Sequence, residues 1–509
     1  MKRIFILTLA ALATSITAFG QDQMDALKYG RNDLTGTAHS LGMGGAIGAL
    51  GGDISAIAIN PAGIGVYKSS EIVTTLNFTN NKYEASLNAG KTSKDKFSFS
   101  FDNFGVIGAF PINSDVAPFI NFGFTYNKLK NFEKKYYVEG NNQTSITNLM
   151  ADMANSSNYE YPSDYDFYYP YEIWLPMVGY SSYLLSDNGT SYSPVISSGI
   201  NNKLNVREKG SIDSYDFSAG TMFADFLSFG LTLSVTDINY RLYSSYDESY
   251  SATNGFTLEN YFKTEGTGFQ VKTGIIIKPI NELRFGVSYH SPTWYNMTNY
   301  FSTTVDHFIP DFADNKRNDY PQKGEFIDSY NEIGNAARDY KYRTPDKWAF
   351  SIAGLIGRVA TISADYELTN YSNMTFKPEH NDAPYTEQNE FIKEDFRNSS
   401  TLRIGTEIRI TPELTGRLGY SWVQSPIKSE LKNNDRLPVK AGTAVHYRLD
   451  GDTNYFTYGL GYVFPSNFYA DVAFVMRDQK DDLYSFATGN KAKLKNNMFS
   501  GLLTLGFRF

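Results

Sequence analysis

The last residues of the chain carry a pattern that recurs through most of it. From Phe499 to Phe509 the odd positions read Phe499, Gly501, Leu503, Leu505, Phe507 and Phe509. The even positions read Ser500, Leu502, Thr504, Gly506 and Arg508. That is a period of two, the mark of a strand with a different solvent on each face. The same register places Phe456, Tyr458, Leu460, Tyr462 and Phe464 on one face, and it recurs at Phe468–Met476, Leu402–Ile410, Trp348–Ile352 and Leu283–Tyr289. A soluble sandwich alternates too. Here, however, the polar face is rich in Gly and Ser with intermittent charges, and the apolar face is flanked by Tyr, Phe and Trp. Such strands suit a barrel with a wet lumen and lipid outside.

The connections set the strand count. Short turn signals lie at Pro111–Asp115, Asp225–Ser228, Lys278–Glu282, Gly357–Arg358, Thr411–Glu413 and Pro465–Asn467. Longer polar connections lie near 88–93, 141–205, 249–265, 309–346, 378–398, 426–452 and 481–493. Six turns and seven loops predict fourteen strands over 71–509, an all-β antiparallel transmembrane barrel with both ends on the side of the short turns. The longest loops are 141–205 and 309–346. Stretches 143–154 and 174–185 read as short helices.

Two N-terminal segments precede the barrel. Lys2, Arg3, the apolar run from Ile4 and the Ala18-Phe19-Gly20 site read as a signal peptide over 1–20, giving an exported chain that starts at Gln21. Residues 21–70 contain Gly42, Gly44, Gly45, Gly48, Gly51 and Gly52, then Asn60-Pro61-Ala62-Gly63. A dinucleotide fingerprint fails because Ile47 stands where its third glycine belongs, and no Gly-Lys-Ser/Thr follows for a phosphate loop. The segment is too apolar for a solvated tail and reads as a glycine-rich hatch packed inside the lumen.

Composition narrows the chemistry. There is no cysteine, hence no disulfide framework and no thiolate metal site. The formal charge of -8 argues against a nucleic-acid partner. A mean hydropathy of -0.36 excludes a bundle of membrane helices. The acids Asp450, Asp452, Asp311 and Asp314 lack calcium-loop spacing, so no metal and no cofactor is expected. The histidines His39, His290, His307, His380 and His446 form no triad; His290, beside Ser288 and Ser291, faces the lumen, and no enzyme activity is expected.

The string Ser40-Leu41-Gly42-Met43-Gly44-Gly45-Ala46, then Gly51-Gly52-Asp53 and Asn60-Pro61-Ala62-Gly63, resembles the start of the FadL/TodX family, outer-membrane transporters of long-chain fatty acids and aromatic hydrocarbons. The resemblance implies a fourteen-stranded barrel in the outer membrane of a Gram-negative bacterium. It also implies a hatch formed by Gly42, Gly44, Gly45, Gly51, Gly52, Asn60, Pro61, Ala62 and Gly63, passive diffusion of a hydrophobic small molecule, and lateral release at a kinked third strand. The kink would fall within 116–130, near Gly123. Phe167, Tyr168, Tyr169, Tyr171, Trp174 and Leu175 form an aromatic loop patch suited to ligand capture. Lys272, Arg284, Arg403, Glu407, Arg409, Asp471, Arg477 and Arg508 face the lumen by parity, where they either meet a carboxylate head or neutralise one another around the hatch. Expected partners are lipid and lipopolysaccharide around a monomer, and the barrel assembly machinery, whose C-terminal aromatic signal Phe509 resembles. A haem or tetrapyrrole receptor and a loop-based adhesin are the alternative readings.

Overall fold

The computed structural model describes residues 22–509 apart from 89, 113, 157–173, 197–199, 252–253, 308–322, 329–337, 380–384 and 434–441. The signal-peptide reading of 1–20 lies outside the described residues.

Fourteen antiparallel strands close into one barrel. They are β1 (Glu71–Leu87), β2 (Gly90–Pro111), β3 (Phe119–Asn131, resumed at Lys134–Asn142) and β4 (Ile200–Phe223). There follow β5 (Leu227–Ser249), β6 (Gly255–Ile280), β7 (Leu283–His290, resumed at Trp294–His307) and β8 (Arg338–Arg343, resumed at Lys347–Ile356). The circuit continues through β9 (Ala360–Asn370, resumed at Thr375–Pro378), β10 (Asn398–Arg409), β11 (Leu414–Val423) and β12 (Tyr447–Leu449, resumed at Thr453–Val463). It ends with β13 (Phe468–Tyr484) and β14 (Lys491–Arg508). Each strand pairs with its neighbour in sequence, and β14 returns to β1 through sixteen consecutive residue pairs from Glu71↔Arg508 to Ser86↔Lys493. Ser70 and Phe509 exchange backbone hydrogen bonds at the seam.

Alternation decides which way each strand faces. Phe456, Tyr458, Leu460, Phe499 and Phe507 are exposed on the outside, whereas Thr457, Ala473, Val475, Leu502 and Thr504 are buried in the lumen. The apolar outer band and the small or polar inner face are those of a barrel in lipid. All six short turns fall where the turn residues placed them.

Three of the expected long connections are tight instead. Leu87 pairs with Gly90, Ser249 with Gly255 and Tyr484 with Lys491. The stretches 88–93, 249–265 and 481–493 are therefore mostly strand. They read as loop because above the lipid the outward face turns polar while the inward face turns apolar, with Leu87, Phe256, Leu258, Leu483 and Ala492 buried, the reverse of the alternation below. β4, β5 and β6 run for 24, 23 and 26 residues, against roughly 10 needed for a bilayer.

The N-terminal residues lie inside the barrel. Helix α1 (Gln23–Gly30) starts on Asp22, whose side chain accepts from the backbone of Met24 and Asp25. Helix α2 (Ala38–Gly42) is capped by Thr37 and helix α3 (Ile54–Ile59) by Asp53. Asn60 caps the 3₁₀ turn Pro61–Val66. Gly44 adopts φ +65° with its backbone against Gly419 of β11, where an added Cβ would come 2.1 Å from the Gly44 nitrogen. No side chain fits there, so the two glycines let the segment touch the wall.

Gly419→Val is therefore expected to leave the barrel folded, seen as heat-modifiable gel mobility, while exposing residues 22–66 to protease. Unchanged protection would show that this close approach does not hold the segment.

Candidate functional site

Three features converge on the lumen: the contacts of the N-terminal segment with the wall, a chamber beside α1, and a break between β2 and β3.

The segment is held mainly by its own backbone carbonyls. Asn60 Nδ2 donates to the Gly48 and Ile275 carbonyls, and Asn60 Oδ1 accepts from the Ala62 N–H. Asn121 Nδ2 donates to the Ile64 and Tyr67 carbonyls, Ser228 Oγ to that of Ala62 and Arg284 to that of Leu50. Ser288 Oγ and His290 Nε2 both meet the Ile59 carbonyl. His290 is thus bonded to the segment.

A charged chain runs from the segment into the wall. His39 Nδ1 lies 3.0 Å from Asp53 Oδ2, and its Nε2 lies 3.2 Å from Glu407 Oε2. Arg417 joins Glu407, at 2.6 Å, to Asp471. Burial and the nearby Arg417 favour a neutral ring, but hydrogen bonds with Asp53 and Glu407 outweigh them and raise His39 to about 9. Burial opposes ionisation of Asp53 also, yet His39 and Thr37 hold its carboxyl below the usual range.

The other expected lumen charges are mostly paired. Lys272 meets Asp216 at 3.2 Å, Arg403 meets Glu367 at 2.8 Å and Arg508 meets Glu71 at 2.9 Å. Arg477 donates to Asn81 Oδ1. Arg409 departs from the expectation: it is exposed beside the 410–413 turn, because the alternation runs past the end of the enclosed lumen.

The chamber lies higher, where α1 meets β3, β5 and β6. Tyr29 packs edge-on against Phe132 and Tyr240, and its hydroxyl meets Thr264 Oγ1 at 2.7 Å. Lys28 Nζ stands 4.6 Å above the Tyr240 ring. Leu27, Leu242, Phe262 and Phe301 supply apolar wall, while Lys28, Lys130, Lys134 and Arg448 line the same cavity, three of them paired there: Lys28 with Asp25, Lys134 with Glu208 and Arg448 with Asp450. Lys130 Nζ donates to the Lys28 and Arg31 carbonyls at the end of α1, where a cation suits the helix terminus.

The break lies in the same strand as Lys130. β2 and β3 pair from Pro111↔Phe119 to Asn103↔Asn127 and then separate. Each is irregular at that point. β2 bulges at Asp102, which accepts from Asn77 and Ser100. The pairing of β3 with β4 shifts between Lys128 and Lys130, and β3 itself stops at Asn131 to resume at Lys134. Above, the strands meet again through Thr92 Oγ1 and the Tyr137 carbonyl. Between lies a window, spanned by the ion pair of Lys96 Nζ and Glu133 Oε2 at 3.1 Å. A polar cavity lies behind it, lined by Asp33, Asp102, Lys128, Glu133 and Arg477. Phe97, Phe99 and Phe101 are exposed beside it, which places the window within the apolar band. The irregularity falls at the end of the expected 116–130 stretch. Gly123, the position expected to kink, is paired on both sides, with Ile107 and with Ser218.

The loop patch is described only in part. Phe167, Tyr168, Tyr169 and Tyr171 lie outside the described residues. Helices α4 (Ile146–Ser156) and α5 (Trp174–Ser181) occupy the expected positions. Trp174 and Leu175 are buried, Trp174 edge-on to Phe301, so these two side chains do not form an exposed surface. An amphipathic helix start hides its apolar side chains in the nearest core, and alternation cannot tell that core from a capture surface. Asp450 of the acidic pair engages Arg31 and Arg448, and the described residues hold no cluster of metal ligands.

Residues 222–499, more than half of the chain, match the family described as outer membrane protein transport protein (OMPP1/FadL/TodX). The glycine-rich string at 40–63 lies outside that match. Among solved structures, a FadL homologue of Pseudomonas aeruginosa is 13% identical, with a TM-score of 0.56 over 94% of this chain and 100% of that one. The toluene transporter TodX of Pseudomonas putida is 12% identical, with a TM-score of 0.51 over 94% and 99%. At these identities the likeness is one of fold. No curated protein matches the chain.

The charged chain at His39 makes the segment's docking depend on pH. Because folding raises His39, its contribution is complete below the unfolded value near 6.5 and is lost as pH rises through about 9. Proteolysis of residues 22–66 in the intact barrel is expected to quicken between those values, by up to about tenfold for each pH unit crossed. His39→Asn should flatten the profile; a profile unchanged by that substitution would show that the ring does not govern docking.

Proposed function

The chain belongs to the OMPP1/FadL/TodX family of outer-membrane transport proteins, and on that footing we propose that it takes up hydrophobic molecules of the long-chain fatty acid type by passive diffusion, with lateral release through the window between β2 and β3. The observation that carries this reading is the loss of β2–β3 pairing above Asn103↔Asn127, within the apolar band and in front of a lumenal cavity.

In this reading the ligand enters from the loop side and rests in the chamber beside α1. Aromatic and aliphatic walls accommodate its chain. A carboxylate head would meet Lys130 there and share Lys28, Lys134 and Arg448 with Asp25, Glu208 and Asp450. Residues 22–66 act as the hatch that denies the ligand a straight path, with Gly42, Gly44, Gly45, Gly51, Gly52, Asn60, Pro61, Ala62 and Gly63 as its compact part. The paired lumen charges serve to hold that hatch rather than to bind ligand. The sideways path then leads to the window. Transfer of each methylene from water to lipid is favourable by about 0.8 kcal/mol, so release into the bilayer is downhill without an energy-coupling site.

Lys130 gives the two ends of this path a physical connection. It emerges from the irregular part of β3 and ends on the carbonyls of α1, so movement of the helix and of the window edge share one side chain.

The chain contains no cysteine, so a pair can be introduced without background. Lys96→Cys with Glu133→Cys, reconstituted in liposomes, is expected to take up labelled long-chain fatty acid saturably. Joining the two thiols with a short bis-maleimide should reduce uptake to that of protein-free liposomes. Full uptake after quantitative cross-linking would rule out the window as the exit. Absence of uptake by the unmodified, folded barrel would rule out the fatty-acid assignment itself.

A further inference from the structure

The outer face above the lipid band carries a lysine field that neither the chamber nor the window uses. Its layout follows from strand register. Across β13, β14, β1 and β2 the outward residues form horizontal rows. The lowest reads Phe474, Gly501, Phe78 and Phe99, and the next Met476, Phe499, Asn80 and Phe97. Two residues further up, the row reads Asp478, Asn497, Lys82 and Asp95. Then come Lys480, Lys495, Glu84 and Ser93, and above them Asp482, Lys493, Ser86 and Lys91. Above the hydrocarbon-facing rows the surface turns polar, acidic at the row of Asp478 and Asp95 and net cationic in the two rows above it, which is the level of lipid headgroups.

The field is only partly neutralised from within. Asp482 takes both Lys491, at 3.4 Å, and Lys493, at 2.6 Å, while Lys495 reaches Asp478 only at 3.9 Å. Lys82 is used by Glu84. Lys480, Lys91 and Lys432 have no ion pair among the described residues. Lys480 and Lys495 stand directly opposite each other on paired strands. Like charges in that position destabilise a sheet, and an anion between them would remove the repulsion. Ser86 lies between Lys493 and Lys91, so a hydroxyl donor is flanked by two ammonium groups. The residues bound an open groove of about 850 Å³ whose far wall is Lys432, on the short helix α7 (Ser429–Lys432), which follows α6 (Thr386–Asp395) in the chain.

We propose that this groove binds the phosphate groups of a phosphorylated glycolipid of the outer leaflet, whose acyl chains lie along the aromatic rows beneath. Phosphate offers several acceptors to converging ammonium and hydroxyl donors. The apolar rows directly below require that the headgroup belong to a lipid. Free phosphate fits the groove but gives those rows nothing to meet.

The test uses the full-length barrel in detergent, with native mass spectrometry of added bisphosphorylated lipid A. Binding is expected to weaken at least about tenfold when the same lipid is dephosphorylated. A similar loss is expected for Lys480→Gln with Lys493→Gln and Lys495→Gln, at unchanged heat-modifiable mobility. Ser86→Asp keeps every lysine, sets an acid between two of them, and should weaken binding in the same direction if the triple variant does not fold. Equal retention of dephosphorylated lipid, or binding unchanged in the variants, would overturn the proposal. So would displacement by inorganic phosphate at concentrations equal to that of the lipid, which would make the groove a free-phosphate site.

Discussion

Every peptide group at bilayer depth must find its hydrogen bond within the protein, since lipid offers none. This constraint makes the sheet close, and closure at Glu71↔Arg508 joins the first strand to the last. The same rule gives meaning to the stretch where β2 and β3 do not pair. Backbone released from a ladder at that depth is tolerable only where it lines protein or water. The polar cavity behind β2 and β3, with Asp102 and Glu133 at its edge, supplies that environment. The break and the cavity thus belong to one arrangement.

Closure creates a second demand. A ring of fourteen strands encloses more space than its own inward side chains fill. Where the N-terminal segment touches it, the wall meets this with glycine and small polar residues and with charges such as Arg284 and Glu407. Because the segment is short of regular structure, its carbonyls are the available acceptors, and the wall provides Asn121, Ser228, Arg284 and Ser288 to meet them. The charged residues are arranged so that almost every one has an opposite. Buried pairs of this kind contribute little net stability but penalise misplacement of either partner strongly. They specify where the segment sits more than how tightly it is held.

The sequence is informative wherever a rule is local. Strand parity was readable at Phe499–Phe509 and Phe456–Phe464 because period two needs only neighbours. All six short turns were readable because Pro, Gly, Asn and Asp act within a few residues. The packed N-terminal segment was visible in its glycine spacing. Strand tops were not: Lys91–Asp95 is polar on both faces, and in Lys491–Lys495 lysines face out while Ala492 and Leu494 face in, the reverse of the membrane pattern, so both look like loop although each is fully paired. The window was the least visible feature. The ion pair across it joins Lys96 to Glu133, two ordinary surface residues, and its position depends on bulges at Asp102 and near Leu129 that the alternation does not register. His39 with Glu407, and Lys130 with the end of α1, are contacts between distant segments of chain. Gly123 drew attention as a glycine, yet its role is close packing against Ile107 within an unbroken ladder.

The seam has a kinetic meaning as well. Arg508 meets Glu71 across 437 residues of chain, so the first strand to emerge waits for the last. Until β14 exists, the outer edge of β1 is an unsatisfied template of alternating Phe, Leu and Thr, open to any passing strand. Local hairpins such as β4–β5 can zip early, but the closing contact carries the largest loop entropy of the fold and comes at the end. Folding is therefore slow by topology, and its most aggregation-prone species is a nearly complete sheet lacking one edge. A chain built in this way requires shelter for its first strand throughout synthesis, and truncation of a few C-terminal residues removes the edge that ends the exposure.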